Sequence, residues 1–303
     1  MIKSITVTNY LGESIELELD KPDKTGFLIT SIEGLGPAKA NINMSELSTM
    51  DGSKYNSAKA ESRNIVLGIS FCDTGDISIE DLRQKTYKYF PLKKPLSLTI
   101  KTDNRESMVD GYVESNEPTM FKKQTGTQIS IVCPDSYLYS KNTDVTVFSG
   151  IEPLFEFPFE NNSLVENVME FGEIRNKTEN VVTYHGDAEI GVTISIHTLG
   201  DVEHITIFNT LTREIMKIDT DKLAKHTGSI LVNGDEVTIC TVKGHKSATL
   251  LREGVVYNII NCLNRDADWF QLGKGDNLFA YAVESGNSNV HFTVSNRISY
   301  EGV

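Results

Sequence analysis

The sequence predicts a mainly β protein of two antiparallel β-sandwich domains, the first with one packed α-helix and a long arm-like loop between strands. Three observations carry this reading. Apolar and polar residues alternate with a period of two in several short runs of the first half, the pattern of half-buried strands. Residues 78–90 show a helical stripe between a capping serine and a proline. From about residue 181, short apolar runs are divided at even spacing by Gly, Asn and Asp turns, the mark of a sandwich or jelly roll.

Ile5 and Val7 lead across Asn9-Tyr10-Leu11-Gly12 into Ile15, Leu17 and Leu19, which alternate with Glu16, Glu18 and Asp20. This is an opening hairpin with aliphatics on one face and carboxylates on the other. The alternation returns in Ile65/Leu67/Ile69/Phe71, in Leu96/Leu98/Ile100 and in Ile129/Ile131/Cys133. Ahead of Leu96, Ser78 can cap a helical turn and Asp81 stands three places on, a capping box. Ile79, Leu82, Tyr89 and Phe90 give the stripe, and Pro91 and Pro95 stop the helix.

Residues 37–62 differ. They lie between two strands, show no clean period and are rich in small polar residues. Long excursions inside compact domains are usually functional or disordered. Met44, Leu47, Met50 and Tyr55 supply enough apolar side chain to need a surface, and a neighbouring subunit is the surface expected. A flexible hairpin tip is the alternative.

The first domain spans residues 1–140 and ends at Pro134-Asp135-Ser136-Tyr137-Leu138-Tyr139. Residues 141–180 read as linker and first strands of the second domain, which continues over 181–303. Its strands fall at Val192/Ile194/Ile196, Ile205/Ile207, Ile215/Lys217, 230–232, Val237/Ile239, 255–260, 278–283 and Val290/Phe292/Val294. Asn233-Gly234 is the strongest hairpin signal. No fixed-period repeat is present, which excludes a solenoid or propeller.

A chain of 303 residues exceeds most single cores. Its net charge of −13, with 29 basic against 42 acidic residues, argues against a protein that grips phosphates. All six histidines lie after residue 180 and all eight prolines before residue 159, which supports two modules. Cys72, Cys133, Cys240 and Cys262 form no CxxC pair and read as buried small apolar residues in a reducing compartment. The first residues lack a signal-peptide core and no run approaches a membrane span, so synthesis and folding in a cytoplasm are expected.

Catalytic and metal readings find little support. His185, Asp187, His197 and His204 cluster in sequence without ligand spacing and read as solvent-facing residues. Ser70, Cys72 and Cys133 have no histidine in the first 180 residues to serve as base, and no GxSxG elbow occurs. Asp266 and Asp268 precede Trp269 in a charged loop, a weak echo of a glycosidase carboxylate pair. Gly273-Lys274-Gly275-Asp276 lacks the Gly-Lys-Ser/Thr ending of a phosphate loop and reads as a turn. No enzyme activity, cofactor or metal is expected.

Several short motifs, in order, carry a family resemblance. They begin with Ile32-Glu33-Gly34-Leu35-Gly36-Pro37, Asp51-Gly52-Ser53-Lys54-Tyr55 and Arg63-Asn64-Ile65. Phe90-Pro91, Pro95-Leu96-Ser97-Leu98, Tyr112-Val113-Glu114 and Cys133-Pro134-Asp135-Ser136-Tyr137 follow. The second half adds Gly186-Asp187, Leu272-Gly273-Lys274-Gly275-Asp276-Asn277 and Tyr300-Glu301-Gly302-Val303. Taken together the chain resembles the distal tail proteins of long-tailed bacteriophages of Gram-positive hosts. It departs at Cys133-Pro134, where that family more often has Asp-Pro and an aromatic.

The resemblance implies a non-catalytic hub at the distal end of a virion tail, assembled in the bacterial host. The first domain would form a six-fold ring, with Met44, Leu47, Met50, Asp51 and Tyr55 on an arm that embraces the next subunit. Partners would be the tail tube protein, a tail-associated lysin or tail-tip protein, and a receptor-binding protein or fibre. Neither specific nucleic acid nor membrane is expected, and an acidic lumen would let DNA slide. The second domain would be a galectin-like or carbohydrate-binding-module-like jelly roll. It would serve as a docking platform or read a host surface glycan through His245, Tyr257 and Trp269. Two alternatives are a free-standing carbohydrate-binding adhesin and the equivalent part of a phage-tail-like bacteriocin.

Overall fold

A computed structural model describes residues 1–19, 21–46, 51–73, 75, 77–119, 125–153 and 172–303. Leu47 and Met50 of the expected arm, and residues 154–171 of the expected linker, lie outside the described residues. The chain divides into two units, Met1–Asn142 with Ser299–Val303, and Thr143–Ile298. The last five residues therefore go with the first unit, whereas the sequence reading runs the second domain to residue 303. Backbone hydrogen bonding is the reason: the Val303 amide donates to the Leu35 carbonyl at 3.1 Å.

The first unit contains β1 (Ile2–Asn9), β2 (Ser14–Glu18), β3 (Phe27–Glu33), β4 (Ala40–Glu46), β5 (Ser53–Ala60) and β6 (Arg63–Phe71). These are followed by α1 (Ile79–Tyr89), β7 (Pro95–Thr102), β8 (Glu106–Thr119), β9 (Gly126–Cys133) and the start of β10 (Leu138–Val147). Strand β8 is long enough to serve two layers. Residues 106–112 pair with β7, which continues through β1 to β2. Residues 112–119 pair with β9, which continues through β6 to β3. The two stretches meet at Tyr112, and a bulge between Val113 and Ser115 lies just inside the second; bulges are how a strand turns from one layer into another.

The period-two pattern read in the sequence becomes the core. Ile5, Val7, Leu17, Leu98 and Ile100 from one layer pack with Ile65, Leu67, Ile69, Ile129 and Ile131 from the other, all almost fully buried. Each such side chain contributes about 1.5–3 kcal/mol of burial free energy. Helix α1 adds Leu82 and its capping residue Phe90 to that core. Its start is as expected: the Asp81 amide donates to Ser78 Oγ at 3.2 Å, and Ser78 Oγ–H donates to the Asp81 carboxylate at 2.7 Å.

The second unit contains the rest of β10, then β11 (Ser149–Pro153), β12 (Gly172–Asn176), β13 (Glu179–Tyr184), β14 (Ile190–Gly191), β15 (Thr193–Thr198), β16 (Glu203–Asn209) and β17 (Glu214–Ile218). Helix α2 (Thr220–Thr227), β18 (Glu236–Cys240), β19 (Ser247–Arg252), β20 (Val255–Asn258), β21 (Gln271–Leu272), β22 (Gly275–Ser285) and β23 (Val290–Tyr300) as far as Ile298 complete it. One sheet runs β23-β15-β18-β19-β20 and the other β13-β22-β16-β17. Aromatic rings fill the space between them. Tyr281 of β22 stacks on Phe292 of β23 at 5.0 Å, and Phe148 meets Phe292 edge-on at 4.8 Å.

Two expectations here need correction. Residues 230–232 are not a strand, since Leu231 makes only an isolated bridge to Val202. The chain just before them is instead α2, with Asp219 accepting from the Lys222 amide at 3.1 Å and Gly228 closing the helix at φ 92. The run expected over 255–260 ends at Asn258, and Ile260–Cys262 forms a 3₁₀ turn.

Candidate assembly surface

Among the described residues of 37–62, Ala40–Glu46 and Ser53–Ala60 are regular strands. Strands β4 and β5 form a two-stranded antiparallel hairpin that belongs to no larger sheet. Cross-strand partners share a face, so the register sorts the hairpin cleanly. Ala40 faces Ala60, Ile42 faces Ala58 and Met44 faces Tyr55. The opposite face carries Asn41 with Lys59, Asn43 with Ser57 and Ser45 with Lys54. One side is apolar from Ala40 to Tyr55 and ends in the Glu46–Ser53 pair, and the other is polar throughout.

The sorting depends on one extra residue. Between the Asn43–Ser57 and Met44–Tyr55 pairs the register slips, leaving Asn56 as a bulge on β5. Without it, Tyr55 and Ala58 would fall on opposite faces. Asn56 Nδ2 instead donates to Ser45 Oγ on the polar side, at 2.5 Å. The bulge is why no clean period is visible in the sequence, although Ala40, Ile42 and Met44 do alternate.

Among the described residues nothing covers the apolar face. Ile42, Met44 and Tyr55 are 52%, 56% and 60% exposed. An isolated two-stranded hairpin is marginal in water, so such a face calls for a partner. Asp51, at the start of β5's approach, is exposed as well.

The root of the hairpin is held rigidly. Arg63, at the start of β6, is only 2% exposed and has no carboxylate partner among the described residues. Its five N–H donors all go to backbone carbonyls. Nη1 donates to Gly34 at 2.6 Å and Gly36 at 2.5 Å; Nε and Nη2 donate to Ser136 at 3.2 and 2.8 Å; Nη2 also donates to Glu301 at 2.6 Å. Burial lowers its pKa from the ordinary guanidinium value. Gly34 stands at φ 83, where an added Cβ would lie 1.9 Å from the Asn64 carbonyl oxygen. Only glycine fits there.

The three residues read as a glycan surface make separate contacts. His245 closes a turn onto the Val242 carbonyl, and Tyr257 pairs with Leu250 across β19 and β20. Trp269 lines a shallow pocket with Lys222, Ile260, Asn264 and Arg265, and Lys246 Nζ lies 5.1 Å from its ring centroid. Among the described residues no hydrogen bond or ring contact joins the three.

The other chemical candidates are scattered. Asp187 lies 3.9 Å from Lys274, and His204 lies 3.8 Å from Asp221. Asp268 is a structural acceptor for the Ile215 amide at 2.9 Å. Among the described residues no group of three or more His, Cys, Asp or Glu is placed to hold a metal ion. All four cysteines are free thiols, and burial pushes Cys133 up to about 11. No helix of the described residues is long and apolar enough to cross a membrane.

No family model and no curated protein matches the chain. Solved structures do. The SPP1 Dit protein, described as a paradigm of the hub adsorption apparatus in phages infecting Gram-positive bacteria, aligns over 98% of this chain and 99% of its own, with 12% identity and a TM-score of 0.65. A chain of the phage p2 baseplate in its activated conformation with Sr aligns over 97% of both, with 12% identity and a TM-score of 0.50. The same baseplate with Ca gives 98% coverage of both chains, 11% identity and a TM-score of 0.50. Over nearly its whole length, this chain has the fold of a phage distal tail hub protein.

Proposed function

We propose that this protein is a structural hub at the distal end of a phage tail, with no catalytic role. Its first unit joins copies of itself into a closed ring, six-fold as in the family it resembles, and its second unit is the docking platform for a receptor-binding protein or fibre. The observation that carries this reading is the β4–β5 hairpin. It presents Ile42, Met44 and Tyr55 on an uncovered apolar face and is attached to a root locked by Arg63. A head-to-tail contact of one hairpin with the next copy repeats until the ring closes. The ring sits between the tail tube and the tail tip.

The likeness to the SPP1 hub protein over both units supports the same reading. The platform is favoured over a sugar reader in the second unit because, among the described residues, no hydrogen bond or ring contact brings His245, Tyr257 and Trp269 together. Lys246 also lies over the one indole ring a sugar would stack against.

The test is deletion of residues 40–58 in the full chain, followed by light scattering across a concentration series. Both units should stay folded while the oligomer disappears. Unchanged assembly would show that the hairpin is not the arm.

A further inference from the structure

The hairpin needs a seat, and the first unit carries one exposed surface that matches it. Strands β1, β7 and β8 lie side by side, with Asn9 opposite Leu96 and Leu96 opposite Gly111, all buried. One residue further on, Tyr10, Pro95 and Tyr112 follow in the same order and point outward, all exposed. Leu92 bridges to Val113 beside Tyr112, and Leu11 follows Tyr10 in the turn. Tyr10, Leu11, Leu92 and Tyr112 are 48% to 64% exposed. They form a contiguous apolar patch at one end of the sheet.

Two lysines border it. Lys94 Nζ lies 5.4 Å from the Tyr10 ring centroid, and Lys93 is held at φ 62 in the turn between Leu92 and Lys94. Among the described residues neither has a carboxylate partner. The third nearby lysine, Lys88, is engaged by Glu13 at 2.8 Å. Two unpaired cations beside exposed aromatic rings, in a chain of net charge −13, call for an apolar partner with an acidic end.

The hairpin has that composition. Along its apolar face Met44 and Tyr55 are followed by Glu46, opposite Ser53, and exposed Asp51 lies two residues before Ser53. Its own lysines, Lys54 and Lys59, are on the other face. We infer that the Tyr10–Leu92–Tyr112 patch of one copy receives the apolar face of the β4–β5 hairpin of the next, with Lys93 and Lys94 meeting Glu46 and Asp51. This rests on the arm reading proposed above and adds the surface on which the arm lands.

Two full-length populations test it, both carrying Cys72→Ser and Cys240→Ser, one with Tyr55→Cys and the other with Tyr112→Cys. They are mixed at a concentration where the wild type is oligomeric and then oxidised. A covalent dimer is expected in the mixture and in neither population alone. Lys93→Glu with Lys94→Glu is expected to weaken assembly about tenfold at low salt, and adding Glu46→Lys with Asp51→Lys to recover most of the loss.

Absence of the cross-link, together with assembly indifferent to the charge reversal, overturns the inference. If deletion of residues 40–58 still abolishes assembly in that case, the arm survives and its seat lies elsewhere. Occupation of the patch by a tail-tube or tail-tip protein, with no cross-link between copies, overturns it equally. A wild type that is monomeric at every concentration overturns both readings.

Discussion

Arg63 Nη2 donates a hydrogen bond to the carbonyl of Glu301, 2.6 Å away and 238 residues further along the chain. The same guanidinium holds Gly34 and Gly36 at the base of the hairpin and Ser136 after β9. One side chain therefore ties the base of the β4–β5 hairpin to Glu301. Every contact is to a backbone carbonyl, so the acceptors themselves do not depend on the side chains of Gly36, Ser136 and Glu301.

Replacing Arg63 should be costly. Arg63→Met leaves the carbonyls of Gly34, Gly36, Ser136 and Glu301 without this donor and is expected to destabilise the fold by about 3 kcal/mol or more. Arg63→Lys supplies three donors in place of five and should recover only part of the loss. Urea midpoints measure both, and protease cleavage near residues 34–37 should rise in each.

The apolar face of the hairpin should matter for assembly and not for folding. Met44→Ser with Tyr55→Ser is expected to change unfolding free energy by no more than about 0.5 kcal/mol, as for ordinary surface changes. The oligomer should dissociate in light scattering. A large fall in the melting temperature would mean that these side chains pack on their own chain.

Arg252 and Asp235 form a second buried anchor. Arg252 Nε and Nη2 reach the two Asp235 oxygens at 2.8 and 2.5 Å, and Asp235 also accepts from the Val232 amide. Asp235→Ala leaves a largely buried cation unpaired and should cost about 3–5 kcal/mol. Arg252→Met with Asp235→Ala together should cost less than the sum of the two single changes in a double-mutant cycle.

Helix α2 depends on its cap. Asp219→Ala is expected to lose about 1 kcal/mol at neutral pH. The Lys222 amide, and then the Lys222 side chain, hold the Asp219 carboxyl below its ordinary value. Its contribution is therefore fully present above the unfolded carboxyl pKa of about 3.9 and fades as pH falls through the lower folded value. The difference between wild type and variant should shrink in acid.

Thiol reactivity should follow burial. Cys72 and Cys240 are half-buried, while Cys133 and Cys262 are buried, and burial raises the pKa of both buried thiols. Iodoacetamide at pH 8 is expected to modify Cys72 and Cys240 first, read by peptide mass spectrometry. Early modification of Cys133 would show that the β6–β9 layer opens readily.

The core and the helix start were legible because their signals are local. Ile5/Val7, Ile65/Leu67/Ile69 and Ile129/Ile131 alternate within single strands, and Ser78 with Asp81 lies within one turn. Helix α2 was equally written in Asp219 and Gly228, a cap at each end of eight residues, but no helix is expected between the strands at Ile215/Lys217 and 230–232. The hairpin was half legible. Ala40, Ile42 and Met44 keep the period of two, whereas the bulge at Asn56 shifts Tyr55 against Ala58 and removes the period from β5.

Local alternation and capping are properties of neighbours in the chain, so the order of residues alone specified strands, turns and a mainly β class. Pairing partners are different, because they depend on which distant backbones come together. Only the folded chain made Arg63 the donor to four separate carbonyls and sorted the hairpin into one apolar and one polar face. It alone set Tyr10, Pro95 and Tyr112 side by side. The first and last depend on contacts between segments far apart in the chain, and the sorting of the hairpin depends on the bulge at Asn56, none of which a short window of sequence shows.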